Sequence, residues 1–248
     1  MKVGFIGLGR MGHGMAEQIL GAGYDLAIYD QVPELLKKLG SAGATVARSV
    51  AEVVADRDLV ITMLPHDEAL EELAFSKKGL LKYMAKGAIH MPSGTHGIKI
   101  IRQLTNAHKE AGQTLVAGHV LGRPDLASKG QLTIVSGGPP NILKHLQPIF
   151  DVLGKQTFIA GDEPQTATAV KIANNFVLGC AIEAIGESMS LVRKFGVTPA
   201  MFQQVLIEGL FGSPAYQIYG QIIVDEAYEK VGASVHIGLK DTNLALAA

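Results

Sequence analysis

The chain has 248 residues, of which 48% are hydrophobic and 18% charged, with a formal net charge of −1 and one cysteine. That length suffices for one large or two modest domains with a sizeable core, and the composition excludes a disordered chain. Near-neutral charge argues against a nucleic-acid binder, and the lone Cys180 excludes an internal disulfide framework.

Met1 runs almost directly into a strand pattern, so no signal peptide is expected and the expected setting is cytoplasmic. Residues 2–6 (KVGFI) are a short apolar run ending at Gly7-Leu8-Gly9-Arg10-Met11-Gly12, a G-x-G-x-x-G turn. Taken alone the pattern is weak, because glycines cluster in many turns. Here a strand precedes it and apolar Met11, Met15, Ile19 and Leu20 continue it as a helix over 11–20. Such glycines permit a tight turn, close approach of backbone to a pyrophosphate, and a helix N-terminus aimed at the phosphates. A second strand over 25–29 ends at Asp30, near the expected place of the acid that binds ribose hydroxyls. No arginine follows directly to take a 2′-phosphate, so the site reads as one for NAD, with NADP disfavoured.

Alternation continues with helices over 33–39, 50–55, 69–75 and 96–111, and strands over 45–47, 59–64, 88–91, 114–117, 132–136 and 156–160. Strands alternating with helices predict a parallel sheet covered on both faces. Pro65 follows a strand end, where a loop would face the cofactor, and Pro92-Ser93-Gly94-Thr95 forms the loop after the next strand. The segment Gly118-His119-Val120-Leu121-Gly122-Arg123-Pro124 reads as a loop with two glycines and an arginine. Its backbone N–H groups and guanidinium could hold a substrate carboxylate; the bland alternative is a surface arginine in a turn. The eight histidines show no metal-ligand spacing, so no metal site is expected.

Residues 164–195 predict one long helix, capped by Asp162, opened by Pro164 and ended by Gly196. Apolar residues recur around it (Val170, Ile172, Ala173, Phe176, Val177, Cys180, Ala181, Ala184), which predicts cover from other elements over much of its circumference. A membrane span is disfavoured, because Lys171, Asn174, Asn175, Glu183, Glu187 and Arg193 interrupt it. Lys171 and Asn175 fall one turn apart on one face. Beyond residue 195 only helices follow, over 198–207, 216–228 and 235–248. The expected domains are 1–161, a Rossmann-type dinucleotide-binding domain, and 162–248, an interdomain helix with an all-α carboxy-terminal domain whose uncapped end either packs against something else or belongs to a fragment. The uncapped last helix and the apolar central one together predict a homo-oligomer.

The FIGLGRMG turn, the KIANN segment on the long helix and the late LKDTNLAL segment together resemble the β-hydroxyacid dehydrogenases, over residues 2–248. That family includes 3-hydroxyisobutyrate dehydrogenase and glyoxylate/succinic semialdehyde reductases, and is related to 6-phosphogluconate dehydrogenase. The resemblance implies hydride transfer between NAD and a small β-hydroxy acid or its oxo partner. It implies Lys171 as general acid and base with Asn175 as companion, and Met63, Leu64, Pro65 and Thr95 lining the cofactor. Lys240 would lie near cofactor and substrate. The family's substrate loop carries a serine and two glycines where this chain has Leu121-Gly122-Arg123, so a hydroxyl donor is replaced by a guanidinium. Imine reductases share the architecture but generally lack the lysine. A nucleotide-binding regulatory protein without catalysis is the reading from another class, and the Lys171–Asn175 pair counts against it.

Overall fold

The computed structural model describes residues 1–229 and 234–248. Its first half alternates: β1 (Lys2–Ile6), α1 (Arg10–Gly21), β2 (Asp25–Tyr29), α2 (Pro33–Ser41), β3 (Thr45–Val46), α3 (Val50–Val54), β4 (Leu59–Thr62), α4 (Asp67–Phe75), α5 (Leu80–Tyr83), β5 (Ile89–Pro92), α6 (Ile98–Glu110) and β6 (Thr114–Leu115). These strands form one sheet in the order β3-β2-β1-β4-β5-β6, every pair parallel. The order reverses between β1 and β4, and a crevice at that switch point, outside the carboxyl ends of the strands, is where such sheets take ligands.

Strand periodicity sorts the core. Val3, Phe5, Leu26, Ile28, Leu59, Ile61, Ile89 and Met91 face one side, packed with Met15 and Ile19 of α1. Ile6, Ala27 and Val60 face the other, against Val53, Leu70, Ile101 and Leu104. Both faces are therefore covered, as continuous apolar strands require.

At Val116 the chain leaves this sheet, contrary to the single sheet expected from sequence. β7 (Ala117–Leu121), α7 (Pro124–Ala127), β8 (Leu132–Gly137), α8 (Pro140–Leu153) and β9 (Gly154–Gly161) build a second sheet, with β7 antiparallel and β9 parallel to β8. Close approach makes the step feasible: a Cβ on Gly118 would press on the Met91 side chain. Residues 118–121, expected as loop, are thus strand. Helix α8 was not foreseen; Pro148 lies inside it, yet Leu143, Leu146, Ile149, Phe150 and Leu153 are buried at helical spacing.

α9 (Pro164–Arg193) runs unbroken for 30 residues. It starts right after Glu163, whose carbonyl accepts from both the Thr166 amide and hydroxyl, so the expected Asp162 cap lies one residue too early. Gly196 takes φ +79° just beyond its end. The described chain divides inside this helix into compact units Met1–Lys171 and Ile172–Ala247. Cover over much of its circumference was expected and is not found. Ala181, Ile185 and Met189 make a buried stripe, whereas Phe176 and Val177 are 46% and 65% exposed. By length and composition alone an 18-residue window of this helix passes for a membrane span, with a mean hydropathy of 1.3. In the second unit α10 (Pro199–Glu208) and α11 (Pro214–Val224) pack as a pair, with Gly220 admitting the Gln203 amide, and α12 (Val235–Ala247) follows.

A buried polar chain crosses the apolar layer beneath the main sheet. Gln113 donates through Nε2 to the carbonyls of Leu81 and Met84, so its Oε1 must accept from His108 Nδ1 at 2.8 Å. His108 Nε2 then accepts from His90 Nδ1 at 2.9 Å, and His90 Nε2 accepts from the Thr62 hydroxyl at 3.0 Å. Both rings are neutral. Burial holds His108 down at about 4 from an ordinary 6.5, and burial and then the neighbouring His108 hold His90 well below its ordinary value. A folded-state pKa below the unfolded one means that the unfolded chain binds the extra proton. The stability these neutral rings contribute is thus fully present above about pH 6.5 and is lost as pH falls below it. Urea unfolding between pH 7.5 and 5 should show this decline, and His108→Gln should flatten it.

Candidate active site

The glycine turn joins β1 to α1 by contacts that only glycine allows. Gly7 has φ +93°, and a Cβ there would overlap the Met63 carbonyl oxygen; a Cβ on Gly12 would overlap the Gly7 carbonyl oxygen. At Gly9 a Cβ would meet nothing within 4 Å. Gly9 is also the N-cap of α1, and its end of the helix has no side-chain cap. The first turn of α1 thus brings backbone N–H groups and the positive end of the helix dipole to this turn, the elements a pyrophosphate cradle needs. Leu8 is buried beneath the turn, while Arg10 is exposed and Met11 half-buried at its rim.

Asp30, at the end of β2, accepts the Leu8 amide on Oδ2 at 2.6 Å and the Val32 amide on Oδ1 at 2.8 Å. The carboxylate thus clamps the turn, and it keeps acceptor capacity for ribose hydroxyls. Met63 and Leu64, half-buried, follow β4, and Pro65 is exposed. Gly94 lies so close to them that a Cβ would overlap the Leu64 carbonyl oxygen, which joins the loops after β4 and β5. Thr95 comes next. Ser93, named in the sequence only as part of a loop, has a buried hydroxyl with no hydrogen-bond partner among the described residues. Such an orphan in a loop at the carboxyl edge suits a bound polar ligand. Turn, clamp and loops together fit a dinucleotide.

Lys171 is partly buried on α9 and donates from Nζ to the Val120 carbonyl at 2.8 Å. Next to Val120, His119 bridges the Gly94 carbonyl (Nδ1, 2.8 Å) and the Thr168 hydroxyl (Nε2, 2.9 Å). Its ring is fully buried, and burial first, then the charges of His96 and Lys171, lower its pKa to about 3. The sequence named His119 only as part of a loop; its place inside a strand gave no signal. Leu121 and Gly122 end β7 and begin the turn to α7. Arg123 sits there half-exposed, with Nε 3.3 Å from Asp125 Oδ1. That pairing is the surface-turn arrangement, although an exposed ion pair is worth little and can be exchanged.

Asn175, one turn beyond Lys171, belongs to the second unit. Its Nδ2 donates to Asp241 Oδ2 at 2.7 Å, and Lys240 Nζ lies 3.0 Å from Asp241 Oδ1. The sequence singled out Asn175 and Lys240 but gave Asp241, the carboxylate between them, no role. Glu183 and Glu187 are exposed. Among the described residues no cluster of three or more His, Cys, Asp or Glu is placed to hold a metal.

A parallel sheet in this strand order with such a turn defines a Rossmann-type dinucleotide-binding domain. Comparison with known proteins carries this further. The model for the NAD-binding domain of 6-phosphogluconate dehydrogenase matches residues 2–161, and that for the NAD-binding part of NADP-dependent 3-hydroxyisobutyrate dehydrogenase matches residues 166–248. An uncharacterized oxidoreductase of Bacillus subtilis, YfjR, is 40% identical over all of this chain and 86% of its own length. The NAD-dependent L-serine dehydrogenase of Pseudomonas aeruginosa is 32% identical, over 88% of this chain and 73% of its own. The structure of Mycobacterium tuberculosis 3-hydroxyisobutyrate dehydrogenase with L-serine superposes with a TM-score of 0.88 at 25% identity, covering 99% of this chain and 85% of that one. The chain belongs to the β-hydroxyacid dehydrogenase family. It is an NAD(P)-dependent dehydrogenase with a Rossmann-type domain, then a long helix and a helical carboxy-terminal region.

The two glycines separate folding from binding. Gly9→Ala, at φ −60° with open space around its Cβ, should keep the parent's thermal midpoint while weakening dinucleotide binding about tenfold or more, a loss of at least about 1.4 kcal/mol. Gly12→Ala should instead destabilise the fold by about 1–3 kcal/mol through overpacking. Calorimetric titration beside a thermal melt reads both effects, and unchanged binding in Gly9→Ala would remove the phosphate cradle from this turn.

Proposed function

We propose that this protein oxidises a small hydroxy acid, or reduces its oxo partner, with NAD, and that Lys171 carries the proton. The observation that carries the proposal is the half-buried Lys171 ammonium, held by β7 next to a histidine that is bonded to the cofactor-side loop at Gly94. When bound, the nicotinamide supplies or takes up the hydride. Lys171 gives a proton to the substrate oxygen in reduction, and as the neutral amine takes it back in oxidation. Asn175, on the next turn of the same helix, orients the reacting group. Gly7 to Gly12 hold the pyrophosphate, Asp30 the ribose, and Met63, Leu64, Pro65 and Thr95 the ring. Leu121, Gly122 and Arg123 receive the substrate carboxylate, with the guanidinium exchanging Asp125 for it. Residues 1–161 form the working cofactor domain. The chain works as a homo-oligomer, a reading supported by the exposure of Phe176 and Val177; light scattering that finds only monomer would overturn it.

The assay is reduced-nicotinamide absorbance with a panel of small hydroxy acids that includes L-serine and 3-hydroxyisobutyrate, the compounds in the relatives' names. On the best substrate Lys171→Ala should lose about a hundred- to ten-thousandfold in kcat with dinucleotide affinity retained. Lys171→Arg should not restore it, because guanidinium keeps its proton. Arg123→Ala should raise KM for acids about ten- to a hundredfold, the scale of a charged hydrogen bond. Near-parental turnover in Lys171→Ala would refute the assignment.

Asp30 supports NAD over NADP, because a carboxylate fixed by two amides would repel a 2′-phosphate. NAD should bind more tightly, and the preference should widen at low ionic strength. Titration that finds NADP equal or tighter would sink this part alone.

A further inference from the structure

We propose that His119 and Thr168 are positioning residues that hold Lys171 in register with the cofactor-side loops; the proposal rests on the reading of Lys171 as the proton carrier. β7 holds α9 through two consecutive residues. The His119 side chain takes the Thr168 hydroxyl at 2.9 Å, and the Val120 carbonyl takes the Lys171 ammonium at 2.8 Å. Thr168 and Lys171 are three residues apart on a helix, so both meet the strand from one face. A third bond leaves the same imidazole in the opposite direction, from Nδ1 to the Gly94 carbonyl at 2.8 Å. Gly94 in turn is wedged against the Leu64 backbone, where any Cβ would collide. Leu64, Gly94, His119, Thr168 and Lys171 therefore form one contiguous string. It begins at the loops after β4 and β5 and ends at the ammonium.

The chemistry of the string has one polarity. A carbonyl can only accept, so Nδ1 carries the hydrogen, Nε2 presents its lone pair, and the Thr168 hydroxyl donates to it. Serine keeps that hydroxyl; valine at 168 does not. His119 is not itself a proton-transfer group. It is fully buried, both its nitrogens are committed, and with a pKa of about 3 it takes up no proton near neutrality. A lysine side chain has four rotatable bonds beyond the backbone, and a displacement of about 1 Å at a reacting group can cost about a hundredfold in rate. A neutral bracket at the helix turn before Lys171 fixes where that side chain starts, and the Val120 carbonyl fixes where it ends, without adding a competing charge.

The test uses Thr168→Val and Thr168→Ser, each made in the parent and in the Lys171→Ala chain, and assayed with NAD and the best hydroxy acid of the panel. Thermal midpoint and NAD affinity are measured beside kcat and KM. Thr168→Val should lose about ten- to a hundredfold in kcat, with KM and NAD affinity close to parental, and Thr168→Ser should recover most of the loss. In the Lys171→Ala chain neither change should lower the residual turnover further. His119→Gln, whose shorter reach meets only one of the two partners, should give the same kcat-selective loss and is a second lesion should the valine variant not fold. Parental kcat in a folded Thr168→Val or His119→Gln chain overturns the proposal. So does equal damage from valine and serine, or an additive loss in the Lys171→Ala chain. If Lys171→Ala alone turns over at the parental rate, the proton-carrier reading has failed and the bracket falls with it; if Lys171→Ala is crippled while Thr168→Val is not, only the bracket fails.

Discussion

Where a side chain at residue 12 would have to go, the Gly7 carbonyl already stands, and the Met63 carbonyl occupies the same kind of place beside Gly7. This mutual exclusion of Cβ atoms brings the first turn of α1 down onto the carboxyl edge of β1 and β4. Everything proposed for the cofactor depends on it. The helix end is uncapped because its N-cap residue, Gly9, has no side chain, and the space beside it is open. Asp30 then fixes the turn from the neighbouring strand by taking the Leu8 amide, so one carboxylate both stiffens the cradle and marks its ribose end.

The second sheet does for the lysine what the first does for the dinucleotide. β7 runs antiparallel to β8 and offers consecutive groups, a side chain and a carbonyl, to one face of α9. Helix position 171 is thereby defined by strand geometry, without recourse to the loop that follows. Because Arg123 lies in that loop, half-exposed and already paired with Asp125, it can move toward a ligand more freely than Lys171 can.

Much of the first sheet was legible because its signals are local: alternating strands and helices, a glycine turn after a strand, an acid at the end of β2. What the sequence hid was tertiary. The step at Val116 from one sheet to another leaves no mark in a run of apolar residues, and β7 looked like loop because Gly118 and Gly122 bracket it. Gly118 is there for close packing on Met91, while Gly122 has φ +143°, a backbone need. Pro148 disguised α8 in the same way. On α9 the apolar periodicity was read correctly as helix but not as cover, because periodicity reports which residues share a face and not whether anything packs there. Lys171 and Asn175 could be picked out as polar groups on an apolar helix. Their partners, Val120 fifty-one residues away and Asp241 sixty-six away, could not.

The polar chain from Thr62 through His90 and His108 to Gln113 also has a consequence for the alphabet the fold tolerates. Since the Gln113 amide can sit only one way round, each proton in the chain is assigned in turn, and the far end must be a hydroxyl donor. Serine can replace Thr62, whereas valine, its near-twin in shape, leaves a buried ring nitrogen bare. Glutamate at 113 removes the two donors that orient the whole row. Four positions scattered over fifty residues thus share a single grammatical rule, and a substitution at any one of them is read by the other three.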